Sequence, residues 1–289
     1  MAVRIITDSG SDCLPGEHPN LDVLPLSIAF GDTTYSADVD LTRERFYELL
    51  VEGDEFPTTG QVNPYAFSQA ISRAQGAGDD VVILALSSKL SGTHQSAVTA
   101  ASQADGSTEV HVVDTKSVTV GQHILVDYAL RLVEGGRSAA EVAAAVEAAA
   151  DRVCLVALLD TLEYLRRGGR LTPLAATFAH LVKAFPVMKQ TDDGTRLEKM
   201  KVARSFAKAV NAIADDLEAR GVGDGFFLGV SHADNRVQAD EASGMLSERF
   251  PGCRHGVFDL GPAFITQGGP GCLAIQAVDL GAYPDLDLD

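Results

Sequence analysis

The chain has no tryptophan and only four cysteines, and its 23 lysines and arginines are outnumbered by 40 aspartates and glutamates. Cys13, Cys154, Cys253 and Cys272 lie far apart, with no CxxC pair and no histidine cluster beside them. Neither a zinc site nor a disulfide framework is suggested, so no metal is expected. Widely spaced, reduced thiols fit a cytosolic protein. No apolar run approaches the roughly 20 residues needed to span a bilayer. Met1-Ala-Val-Arg-Ile-Ile-Thr-Asp8 reads as a strand and lacks the basic start and long apolar core of a signal peptide. A cytoplasmic location is therefore expected, without stable membrane insertion and with at most transient membrane contact. The net charge of −17 argues against nucleic acid as a partner. GxGxxG and GxxxxGKS/T are both missing, so the usual nucleotide-binding fingerprints are absent.

What is present is a repeated corner. Val81-Val-Ile-Leu-Ala-Leu86 is an unbroken apolar run that passes through Ser87, Ser88, Ser91 and Gly92 into an Ala/Ser/Gln segment of helical character. A buried strand that ends in serines and glycine and then opens a helix collects hydroxyls and free backbone N–H groups, the chemistry of an anion site. In so acidic a chain, attraction to an anion must be local. Pro57-Thr-Thr-Gly60 repeats the corner in a loop before a second helix, with Asn63 as its N-cap and Pro64 at its first position. Further polar corners follow the strands near Asp8 and Thr115. In isolation each of these loops is better read as ordinary helix capping.

Strands alternate with helices as far as Ser138-Ala-Ala-Glu141, a capping-box pattern. This alternation implies a parallel α/β domain whose ligand sits beyond the carboxyl ends of the strands. Leu21–Phe30 reads as one strand region bent at Pro25. The second half begins with the apolar run Val153–Leu159 and a short helix ended by Gly168-Gly169. Arg170, beyond that pair, is either structural or partner-facing. Asp192-Asp-Gly194 marks an antiparallel turn, and Arg204 is expected to open a helix. Gly261–Gly271, rich in Gly and Pro, reads as a tight loop, and Ala274–Val278 as the strand that closes the sheet. At 289 residues two modest domains are expected, residues 1–152 with a mainly parallel sheet and residues 153–289 with a mixed one.

Several motifs run in order through the chain: Thr7-Asp-Ser9, Pro57-Thr-Thr59 with Gln61, Ser87–Thr93 with Gln95-Ser-Ala97, Val113-Asp-Thr115, Leu159–Leu165 with Gly168-Gly-Arg170, Lys201–Arg204, His232–Asn235, and Gly261-Pro262 with Gly269-Pro-Gly271. Together they resemble the DegV family of bacterial fatty-acid-binding proteins. The resemblance implies two α/β domains with a long-chain fatty acid between them, its tail buried and its carboxylate near the surface. It also implies no catalysis by the chain itself and no cofactor. The partner would be a separate ATP-dependent fatty-acid kinase that makes an acyl-phosphate. By motif position, Thr59 and Ser91 would donate to the carboxylate, with Ser88, Gly92 and Arg204 in the surrounding network. The chain departs from the family pattern at Gly60 (commonly Ser), Val62 (commonly Pro) and Gln267 (commonly His). Gln267 donates and accepts but carries no charge, so the head-group network is expected to be less cationic. Two rivals stand beside this reading. A serine hydrolase would use Ser91 or Ser88 with His94 or His232, but lacks the GxSxG elbow. A sugar- or triose-binding protein of related fold is the other.

Overall fold

The computed structural model describes residues 2–53, 55–173, 184–191 and 194–279. The first half supplies β1 (Val3–Asp8), β2 (Leu21–Leu24), β3 (Ser27–Phe30), β4 (Thr33–Ser36), α1 (Arg43–Glu52), β5 (Thr58–Gly60), α2 (Pro64–Ala77), β6 (Asp80–Ala85), α3 (Thr93–Ala101), β7 (Val110–Asp114), α4 (Val120–Glu134) and α5 (Ala139–Ala150). From Val153 onward come β8 (Val153–Leu158), α6 (Glu163–Gly168), β9 (Phe185–Gln190), β10 (Leu197–Ala203), α7 (Phe206–Ala219), β11 (Phe226–His232), α8 (Arg236–Arg249), β12 (Arg254–Asp259), α9 (Pro262–Gly268) and β13 (Leu273–Asp279).

The fold is the expected α/β arrangement with one parallel and one mixed sheet. The parallel sheet has the order β2-β1-β6-β7. Every residue of β6 is buried, which is why its sequence after Asp80 is unbroken apolar and does not alternate. The six-stranded sheet, β10-β9-β8-β13-β11-β12, is antiparallel except for the β11–β12 pair. One apolar core joins Ile6, Phe67 and Ile83 of the first half to Leu155, Leu159 and Phe264 of the second. Side-chain caps hold the helix starts as the residue types require: Thr42 for α1, Asn63 with Pro64 for α2, and the Ser138–Glu141 box for α5.

Four local expectations are corrected. Residues 21–30 form two strands in different sheets, because the chain turns between Leu24 and Ser27 and pairs β2 with β1 but β3 with β4 and β5. Thr58–Gly60 is not loop but β5, with Thr59 opposite Ile28 in a small antiparallel sheet. Within Gly261–Gly271 the breakers sit at the ends of a real helix: Gly261 is its N-cap, Pro262 its first residue, and Gly269 at φ 79° its C-cap. β13 does not close the sheet but lies in its middle, between β8 and β11. In addition, Arg204 precedes α7, whose N-cap is Ser205, accepting from the Lys208 N–H. The β9–β10 hairpin forms with Gln190 opposite Leu197, while Asp192 and Asp193 of its expected turn lie outside the described residues.

β1 and β6 are neighbours, and the chain leaves them on opposite sides, β1 towards β2 and β6 towards β7. The crevice at their carboxyl ends is the point where α/β sheets receive ligands. Here a side chain of the protein itself sits in it. Asp8 accepts from Gly10 N at 2.9 Å, Leu86 N at 2.8 Å and Gln122 Nε2 at 3.3 Å. Burial nevertheless pushes its carboxyl up from 3.8 to about 6. Asp12, in left-handed backbone at φ 61°, accepts from Gly261 N at 3.0 Å and so ties the start of α9 to the first half. Burial pushes it to about 7 against the opposing pull of Arg43.

Both carboxyls bind a proton more tightly folded than unfolded. Their contribution to stability is full below the unfolded value near 4 and lost as pH rises through 6 to 7. Chemical denaturation should therefore find the protein more stable at pH 5 than at pH 8, by a few kcal/mol. Asp12→Asn should flatten that dependence. A midpoint that falls on going from pH 8 to pH 5 would contradict this assignment.

Candidate functional site

A cavity of about 420 Å³ lies between the two halves. Its walls come from the corners after β6 and β7 and from β5 on one side, and from β8, α6, the start of β10 and α9 on the other. The lining divides by depth. Leu26, Leu86, Val118, Leu155, Leu159 and Leu165 are buried and apolar. Thr59, Gly60, Ser91, Gly92, Arg170 and Gln267 are only half-buried, and Gln61 is exposed. The result is an apolar pit whose polar rim reaches solvent.

At the rim the hydroxyls have their acceptor sides occupied. Gln267 Nε2 donates to Thr59 Oγ1 at 3.3 Å, and the Thr59 proton has no acceptor among the described residues. Ser91 Oγ accepts from Thr93 N at 3.2 Å and shares a 3.0 Å bond with Thr93 Oγ1. Thr93 Oγ1 also accepts from Val62 N at 3.3 Å. The Ser91–Thr93 pair has two hydroxyl protons and one mutual bond, so one proton remains for an outside acceptor. When Thr93 donates inward, that proton is Ser91's. Gly92 is the N-cap of α3, so the positive end of a nine-residue helix also lies at the rim.

Gly92 in the lining and Gly168 beside it are there for close approach. A Cβ on Gly92 would overlap Oε1 of Gln61, whose Nε2 donates to Ser96 Oγ at 2.9 Å. A Cβ on Gly168 would overlap Oε1 of Gln267. That Oε1 is buried without a donor among the described residues, so the rim has one unfilled acceptor beside its spare protons.

The structure thus brings Thr59, Ser91, Gly92 and Gln267 to one cavity. Two other expected site residues are elsewhere. Ser88 is exposed and outside the lining, because its backbone N–H is drawn to Asp114 Oδ1 at 3.1 Å, on the β7 side. Arg204 is exposed and also outside the lining, since it follows the end of β10 opposite to Leu197, the residue by which that strand reaches the cavity. Arg170, considered partner-facing or structural, has structural contacts. Its Nε and Nη2 donate to Leu90 O at 3.4 and 3.2 Å and its Nη1 to Gly168 O, strapping the corner after β6 to the end of α6. It remains the cation of the lining. Of the serine-hydrolase bases, His94 and His232 do not line the cavity, and the partner of Ser91 is Thr93. Phe264, Leu197 and Leu155 were not singled out by sequence, since cavity-facing and core apolar residues have the same pattern. The stretch from Leu171 to Phe185, whose apolar residues suit the wall of such a cavity, lies mostly outside the described residues.

Comparison with known proteins agrees with this geometry. A family model described as an uncharacterised protein of the DegV family matches residues 2–280. A DegV domain-containing protein of Clostridium perfringens is 31% identical over 255 residues, covering 86% of this chain and 87% of that protein. Among solved structures, a DegV family protein of Thermus thermophilus described for its fatty-acid binding superposes with a TM-score of 0.85. It is 29% identical, over 97% of this chain and 100% of that one. DegV of Bacillus subtilis, described as a fatty-acid-binding protein, gives a TM-score of 0.82 at 27% identity, over 96% and 99% of the two chains. The Fatty Acid Kinase B3 protein of Streptococcus pneumoniae, loaded with linoleic acid, shares the fold at a TM-score of 0.85 and 24% identity, over 96% and 100%. With a family match that spans the parallel sheet, the mixed sheet and both walls of the cavity, the chain belongs to the DegV family.

Proposed function

We propose that the chain binds a long-chain fatty acid, tail in the apolar pit and carboxylate at the rim, and presents it to a separate ATP-dependent fatty-acid kinase. The observation that carries the reading is the division of the cavity by depth, with buried leucines and valine below and half-buried hydroxyls, a helix N-terminus and Arg170 above. A carboxylate only accepts hydrogen bonds. The spare protons of Thr59 and Ser91 suit such a group, and charge-assisted bonds are the strong ones. The tail supplies most of the affinity, roughly 10 kcal/mol gross for a dozen buried methylenes, before the cost of ordering it. A sugar would waste the apolar pit. A hydrolase would need a base at Ser91, where the hydroxyl of Thr93 sits instead.

The assignment of Thr59 and Ser91 is tested by titrating a long-chain acid into the delipidated protein. Replacing both with Ala removes two charge-assisted bonds, and affinity should fall roughly a hundredfold. Unchanged affinity would remove the pair from the site. The presentation step is tested with ATP and a bacterial fatty-acid kinase. Acyl-phosphate should form only when kinase and loaded chain are both present. Formation by the chain alone would overturn the carrier role.

A further inference from the structure

Gln276 is in the middle of the six-stranded sheet, on β13, and is fully buried. A buried amide costs free energy unless its donors and acceptor are served, and this one is saturated from the other half of the chain. Its Oε1 accepts from Thr119 Oγ1 at 2.6 Å and Gly121 N at 2.8 Å. Its Nε2 donates to Ser117 Oγ at 3.2 Å and Val118 O at 3.0 Å. Every partner belongs to the corner between β7 and α4 or to the start of α4.

That corner is strained and shaped around the amide. Thr119 is buried at φ 55° and ψ −138°, a region that β-branched residues avoid. It is pinned there by its hydroxyl on Gln276 and by its N–H on Gly10 O at 2.7 Å. A Cβ on Gly121 would run into Ser117 Oγ and Gln276 Nε2. From the corner, bonds lead to the rim. Ser87 N donates to Ser117 O at 2.9 Å, and Ser91 N donates to Ser87 O at 3.1 Å. Val118, itself held by Gln276 through its carbonyl, is in the cavity wall.

We propose that Gln276 is a positioning residue for the lipid site: from the mixed sheet it sets the 117–121 corner, and through Ser117 and Ser87 it sets the head-group donor Ser91. The inference rests on the fatty-acid reading above. A buried amide that merely stabilised the fold would affect all ligands alike. One that positions Ser91 affects ligands according to their head group.

The test compares a saturated long-chain acid with the primary alcohol of the same chain length, titrated into delipidated wild type, Thr119→Val, Thr119→Ser and Gln276→Met. Val keeps the shape of Thr but loses the hydroxyl, and Ser keeps the hydroxyl. Thr119→Val and Gln276→Met should weaken the acid about tenfold, the size of one misplaced charge-assisted bond, and the alcohol less than twofold. Thr119→Ser should match wild type. Equal weakening of acid and alcohol, or none, overturns the inference even if the wild type binds the acid. Should Gln276→Met not fold, the Val and Ser pair decides the matter alone. A wild type that binds neither ligand overturns the fatty-acid reading itself.

Discussion

The structure depends on how the backbone at the carboxyl ends of the parallel sheet is satisfied away from water. Strands β1, β6 and β7 stop side by side, and their turns meet under the mixed sheet, where exposed N–H and C=O groups would be costly. Buried side chains from several places supply the partners. Asp8 takes the N–H groups of Gly10 and Leu86, Thr7 Oγ1 donates to Leu84 O, Thr115 Oγ1 donates to Ala85 O, and Gln276 holds the corner before α4. With the turns so fixed, their remaining polar groups need not point inward, and the space between the halves can be left apolar.

The cavity follows from that arrangement. Its deep walls are leucines and valine of both halves, and its rim is made of side chains whose mutual hydrogen bonds leave protons to spare. The overall charge of −17 does not oppose an anionic head group there, because the helix N-terminus at Gly92 and the guanidinium of Arg170 act at short range, while distant exposed carboxylates are screened by salt. The carboxylates of Asp8 and Asp12 are near the same turns, and their raised values mean that burial removes part of that negative charge as well.

Much of this was legible in the sequence. The α/β alternation, the Asn63-Pro64 and Ser138–Glu141 helix starts, and the corner at Ser87–Gly92 each have local chemistry that allows few structures. Thr59, Ser91, Gly92 and Gln267 came with the family resemblance, and the fold gathers them at one cavity. What failed depends on pairing at a distance. Thr58–Gly60 is too short to show a strand period, and only β3 makes it one. The Gly and Pro residues of 261–271 read as a loop until their places at the two ends of α9 are seen. Ser88 and Arg204 sit in motifs whose neighbours reach the cavity, but nothing in a motif says which way each residue faces. Gln276, in an apolar strand, gives no local sign of the corner more than 150 residues away that it serves.

The central claim is that the cavity is a fatty-acid slot. Native mass spectrometry of gently purified protein, followed by extraction and identification of the bound molecule, tests it most directly. The account predicts a co-purified acid of about sixteen to eighteen carbons, a tail long enough for the apolar pit to dominate binding. Repeated recovery of empty protein, or of protein loaded with a sugar, would contradict it.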